Sequence, residues 1–271
     1  MTALDVFIEV LLIALALAIF ARWILDTPRE DPLIGLAYRT IQVYSRLFHR
    51  LQVDGLEHIP AERYPGSLVV VCNHTGGVDP LLVQAACPFE IRWMMATDMM
   101  APRYEWFWKW AGIISVDRTG KDSTGTKEAI RHVRGGGVLG VFPEGAIERP
   151  PRHIIPFHPG VGLIIARTGA PVLPVVIEGT PAPAAGGAWT SLYRRGRAHI
   201  RFGPVLEAGG VGEAADHAEP GQRAESRASR HASPEAIARF LEHWYINATG
   251  WPTAPTPMGP SFRGGESGSG D

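Results

Sequence analysis

The sequence predicts an α/β fold: a mixed, largely parallel sheet flanked by helices, with an N-terminal membrane-associated helical segment. Three observations predict it. The runs at 67–72, 138–142 and 172–177 are apolar without alternation, as strands buried on both faces are. Helical patterns lie between the strand runs, which is the alternation of a parallel sheet. Residues 6–25 form an almost unbroken apolar stretch, VFIEVLLIALALAIFARWIL.

That stretch is long enough to span a bilayer, which takes about 20 apolar residues; the alternative reading is a buried core helix. Glu9 and Arg22 sit near its ends, within reach of headgroups. A secretory signal would begin with positive charge, whereas Asp5 and Glu9 come first here. Arg22, Arg29, Arg39, Arg46 and Arg50 follow, and the positive-inside rule places that side in the cytoplasm. Residues 33–53 predict a second helix. Leu33, Leu36, Ala37, Ile41, Tyr44, Leu47, Phe48 and Leu51 share one face, and Arg39, Arg46 and Arg50 occupy the rest. Such a helix either lies on an anionic membrane surface or packs on the domain with a solvated basic face.

Residues 54–206 predict the catalytic domain. Strands are expected at 67–72, 91–97, 113–116, 138–142 and 172–177, with an alternating edge strand at 197–202. Helices are expected at 79–86, at 124–134 before three glycines, and at 160–168. Residues 207–233 are polar and rich in Gly, Ala, Glu and Arg, the composition of a flexible insertion. A final helix is expected over 234–249, with Ile237, Phe240, Leu241 and Trp244 on one face. Residues 250–271 read as a disordered tail rich in Pro, Gly and Ser. Residues 1–53 then form the membrane-associated unit.

A formal net charge of −1 argues against nucleic acid, whose phosphates demand clustered positive charge. Cys72 and Cys87 have no CxxC spacing, so neither a metal site nor a redox pair is expected. Lysine occurs only at 109, 121 and 127, and arginine carries most of the positive charge. With many Ala, Gly and Pro, this suggests a bacterial chain.

Three strand ends carry the chemistry-bearing residues. After 67–72 comes Asn73-His74-Thr75-Gly76-Gly77-Val78-Asp79. Sites in open α/β sheets gather at the carboxyl edge of the strands. His74 is a natural general base near neutral pH, and a carboxylate such as Asp79 can fix its tautomer. The competing reading makes Asp79 the N-cap of the helix that Pro80 opens. After 138–142 comes Pro143-Glu144-Gly145, either a tight turn or a binding turn whose Gly145 N–H is open to an incoming oxygen. Arg118, after Val116-Asp117, is either a phosphate clamp or a surface charge. Ala170-Pro171-Val172-Leu173-Pro174-Val175 is read as architectural.

In order, HTGGVD, VDR, FPEG and PVLPV resemble the four sequence blocks of the glycerolipid (lysophospholipid) acyltransferase family, over roughly residues 50–205. The resemblance implies a catalytic domain on the cytoplasmic face of a membrane, here a bacterial inner membrane. It implies acyl-CoA or acyl-carrier protein as co-substrate, no further cofactor, and a lipid alcohol as acceptor. By the same resemblance His74 is the base, Asp79 orients it, and Arg118, Glu144 and Gly145 bind the acceptor. No acyl-enzyme is expected, because no Ser or Cys lies in an activated setting and there is no G-x-S-x-G elbow. The family block usually continues with Thr-Arg after Phe-Pro-Glu-Gly; this chain has Ala146-Ile147. Either Arg149 or Arg152 supplies the absent phosphate contact, or the acceptor is not a simple phosphate monoester. His158 stands where the family often has Lys.

Two apolar clusters are either core or acyl-chain surface: Trp93, Met94, Met95, Met99 and Met100, and the aromatic run Tyr104, Trp106, Phe107, Trp108 and Trp110. Two other functions remain open on the residues alone. One is thioester or lipid hydrolysis, with water in place of the acceptor. The other is a catalytically silent lipid-binding membrane protein.

Overall fold

The computed structural model describes residues 2–27, 29–117, 122–147, 150–181, 187–211 and 232–254. Among the described residues seven strands form one sheet: β1 (Gln52–Asp54), β2 (Leu68–Cys72), β3 (Ile91–Ala96), β4 (Ile114–Val116), β5 (Val138–Val141), β6 (Val172–Glu178) and β7 (His199–Phe202). Their spatial order is β1-β7-β6-β2-β5-β3-β4. All neighbours run parallel except β6 and β7. The predicted fold class therefore holds.

The sheet separates two apolar layers. Val69 and Val71 of β2 face one cluster, with Leu139, Val141, Val172 and Val176. Leu68, Val70 and Cys72 face the other, with Val138, Leu173, Val175 and Ile177. This two-residue alternation is the pleat itself, and both faces are apolar because helices cover both. On the first face lie α5 (Thr124–Arg134), α6 (Pro159–Thr168) and a C-terminal helix, α7 (Pro234–Thr249). On the second lies α3 (Asp79–Ala86). A short aromatic helix, α4 (Glu105–Trp110), precedes β4.

Helices α6 and α7 approach closely at Gly162. A Cβ there would stand 1.9 Å from the Pro234 carbonyl oxygen, so only glycine fits. Gly162→Ala must push α7 outward. We expect a loss of about 3 kcal/mol, the upper part of the usual overpacking range, read as a lower Tm with α7 displaced.

At the N-terminus, α1 (Ala3–Leu25) has no buried residue and is long and apolar enough to cross a bilayer. It is tied to α2 (Pro32–Leu47) at one end only. Gly35 packs against the Ile24 carbonyl, and Arg39 donates to the Trp23 and Asp26 carbonyls while stacking over the Trp23 ring.

Two expectations need correction. The helix expected over 33–53 stops at Leu47, and Gln52–Asp54 instead form β1, which pairs with β7. The strand expected at the edge, β7, consequently lies inside the sheet. A three-residue strand carries too little periodicity to interrupt a strong amphipathic pattern. Most of the expected insertion over 207–233 and residues 255–271 of the tail lie outside the described residues. The part of the tail before them is ordered against the domain: Thr253 bridges Ile154, and Ala254 is buried.

Candidate active site

Strands β2, β5, β6, β3 and β4 share one carboxyl edge, since they run parallel. β2 ends in the middle of it, between β5 and β6. His74 and Asp79 therefore emerge at the centre of that edge.

Asp79 is the first residue of α3, and the helix is capped at Val78 without a side-chain bond. Asp79 therefore does not serve as the N-cap. Its carboxylate turns back into the loop that precedes it. Oδ2 accepts from Thr75 N (2.7 Å), Gly76 N (2.8 Å) and His74 Nδ1 (3.0 Å). Oδ1 lies 3.1 Å from Thr75 Oγ1. The carboxylate is fully buried, and the bonds to it compensate its lost hydration. His74, by contrast, keeps 19 % of its side chain exposed. Because Asp79 accepts at Nδ1, the imidazole carries its proton there and presents an Nε2 lone pair.

The ring is fixed from its flank as well. Phe142, at the end of β5, stacks on His74 with centroids 4.2 Å apart, and Trp93 stacks on Phe142 at 5.1 Å. Trp93 lies over Gly140, where any Cβ would fall 2.4 Å from its ring. Trp93 is buried, so it belongs to the core. In α4, Trp108 is buried while Trp106, Phe107 and Trp110 are exposed, as is Tyr104 just before it.

The Phe-Pro-Glu-Gly turn lies beside the pair, but with a difference. Gly145, at φ +64°, donates its N–H to the Phe142 carbonyl (3.1 Å), so this amide closes the turn instead of standing open as expected. The His158 ring packs over Gly145; an added Cβ would meet it at 2.9 Å. Glu144 is 2 % exposed, so its carboxylate is set into the protein. Arg118 and Arg149 lie outside the described residues. Arg152 is exposed on the strap before α6 and reaches to 3.7 Å of Glu178, at the end of β6.

A buried histidine lies behind the site. Tyr44 donates its one hydroxyl proton to the Leu192 carbonyl. The His49 Nε2–H must then donate to the Tyr44 oxygen at 2.8 Å, which leaves Nδ1 as a buried lone pair with no hydrogen-bond partner among the described residues. Burial holds the His49 pKa below its ordinary value, with Asp79 opposing. A histidine depressed in this way contributes stability that is present above its unfolded value near 6.5 and lost as pH falls through the folded value. The Tm drop from about pH 7 to about pH 5 should therefore be smaller in His49→Gln than in the wild type.

Sequence reasoning missed two polar side chains that build the site from below. Asn73 lies within the first motif; its Oδ1 accepts from Ile177 N (2.8 Å) and its Nδ2 donates to Ile177 O (2.9 Å). Tyr245, on α7, places its hydroxyl between β2 and β6. Asn73 stands in a noted motif, but nothing in the sequence links Tyr245 to a strand so far away along the chain.

Known proteins resemble this chain in sequence and in fold. Residues 50–178 match the family model described as Acyltransferase. A chloroplastic 1-acyl-sn-glycerol-3-phosphate acyltransferase of Brassica napus is 27 % identical over 150 residues, which are 54 % of this chain and 42 % of that protein. The 1-acyl-sn-glycerol-3-phosphate acyltransferase of Bacillus subtilis is 24 % identical over 158 residues, 58 % of this chain and 73 % of that one. This chain thus spans less than half the length of the Brassica relative and about three quarters of the Bacillus one. The crystal structure of the 1-acyl-sn-glycerophosphate acyltransferase PlsC from Thermotoga maritima shares the fold. It has a TM-score of 0.55 and 20 % identity, covering 81 % of this chain and 82 % of that one. Residues 50–178, which join His74 to Asp79 at the sheet's carboxyl edge, are thus similar to the Acyltransferase family.

Proposed function

We propose that this protein is a membrane-associated O-acyltransferase. It moves an acyl group from a thioester, acyl-CoA or acyl-carrier protein, to the hydroxyl of a lysophospholipid or related lipid alcohol. The observation that carries the reading is the bond from His74 Nδ1 to the buried Asp79 carboxylate, with Nε2 left as a base at the sheet edge.

The chemistry follows from that tautomer. Nε2 takes the proton of the acceptor hydroxyl as its oxygen attacks the thioester carbonyl. The Asp79 carboxylate supports the imidazolium that forms. Collapse of the tetrahedral intermediate expels the thiolate, and the proton held on His74 goes to it. No side-chain nucleophile takes part: Cys72 is fully buried, and burial pushes its thiol well up, so it is held as the unreactive form.

The acceptor headgroup would lie along the 142–145 turn and Arg152, with Arg118 completing its phosphate contacts. An unburied α1 suits insertion in the bilayer, with the arginines that follow it on the cytoplasmic side of a bacterial inner membrane. Purified protein given a long-chain acyl thioester and a panel of lysolipids should release thiol and acylate a lipid in equal amounts. Thiol release without acylated lipid would make it a hydrolase instead. Lysophosphatidic acid is the first acceptor to test, since both relatives bear names that specify it.

A further inference from the structure

We infer that Tyr245 is a positioning residue for His74: its hydroxyl ties β2 to β6 just before the His74 loop and thereby sets where the imidazole stands. The inference rests on His74 being the base of the transfer proposed above.

The hydroxyl sits where β2 and β6 are last paired. Val71 pairs with Pro174 and Cys72 with Val175, in parallel. Val175 N donates to Tyr245 Oη at 2.9 Å, and Tyr245 Oη donates to Val71 O at 2.5 Å. A side chain from α7 thus ties the last paired residues of the two central strands to each other. One residue on, the Asn73 side-chain amide takes both the N–H and the carbonyl of Ile177. Polar side chains therefore join β2 to β6 at their carboxyl ends. His74 is the next residue.

The phenol suits this task. Tyr245 is fully buried, and burial pushes its pKa well up, so it stays a neutral O–H with one proton to give and lone pairs to accept. Its helix is fixed independently, through the Gly162 contact with α6 and through the Ser233 cap, whose Oγ accepts from Ala236 N at 3.1 Å. The hydroxyl is thus held from outside the sheet.

Removing the hydroxyl takes away this tie and leaves the Val71 carbonyl and the Val175 N–H without their bonds to it. The end of β2 then moves against β5. Phe142 directly follows β5 and is braced by Trp93, so the His74 ring would shift across Phe142 and away from its aligned position.

The test is Tyr245→Phe in the full-length protein. Per folded molecule, kcat should fall about 10- to 100-fold, the scale of small misplacements at a reacting group, with KM for the lysolipid unchanged. The low-field Nδ1–H resonance that His74 shares with Asp79 should shift, and this readout needs no substrate. Ser233→Ala, which loosens the same helix without touching the hydroxyl, should lower Tm and leave that resonance in place. Should Tyr245→Phe fail to fold, 3-fluorotyrosine at 245 keeps the hydroxyl and alters its bonding, and the resonance should again shift. An unmoved resonance with kcat unchanged in either variant overturns the inference. Wild-type protein that transfers no acyl group, while the resonance still responds at position 245, would instead overturn the reading of His74 as the transfer base.

Discussion

His74→Ala should reduce acyl transfer about 10²- to 10⁴-fold, the range that a positioned general base contributes, while the fold persists. The reason for both halves is structural. Nε2 is the unprotonated nitrogen at the sheet edge, because Nδ1–H is committed to Asp79 at 3.0 Å. Alanine removes the base and leaves water to accept the hydroxyl proton. The ring itself is partly exposed and stacks on Phe142, so its loss forfeits about 1 kcal/mol of aromatic contact. Thiol release and acylated lipid, measured together against the wild type at matched Tm, check the expectation. Full turnover in the variant would remove His74 from the mechanism.

Asp79 should split cleanly between charge and architecture. In Asp79→Asn, the amide oxygen can occupy the Oδ2 position and keep the bonds from Thr75 N, Gly76 N and His74 Nδ1. The NH2 group then faces Thr75 Oγ1, which can turn to accept. Geometry survives and the negative charge is lost, so the imidazolium formed during transfer is no longer supported. A fall in kcat on the order of 10²- to 10⁴-fold is expected, by the logic of a buried carboxylate behind a catalytic histidine, with a small change in Tm. Asp79→Ala is different. It strands the Thr75 and Gly76 N–H groups, each costing roughly 1–3 kcal/mol when buried and unpaired. That variant should lose both activity and several degrees of Tm. Equal Tm losses in the two variants would show that the carboxylate's charge, and not its acceptor geometry, holds the loop.

Much of this was legible from the chain alone. The runs at 68–72, 138–141 and 172–178 are so apolar that they require cover on both faces, and the structure provides it. The apolar run of α1 announced itself by length and hydropathy. The pairing of His74 with Asp79 was readable because both lie in one short loop, where two glycines permit a tight return. Local chemistry of this kind survives without knowledge of the fold.

What the sequence left open was settled by contacts between distant segments. Position 79 was compatible with a helix cap or a partner of His74; its carboxylate turns to His74 and the loop instead of capping the helix. Gly145 was read as an open donor, but the turn closes on its amide. The edge of the sheet was misplaced because β1 is a three-residue strand that exists only through its pairing with β7.

His74 and Asp79 were therefore determined by the sequence itself, as a spacing that local backbone can close. The position of that pair on the sheet was decided by tertiary structure. It depends on Phe142 just after β5 and on Tyr245 from α7, residues 68 and 171 positions further along the chain than His74. Such contacts leave no periodic trace, because a single buried hydroxyl between two strands is specified by packing in three dimensions and by nothing adjacent to it in sequence.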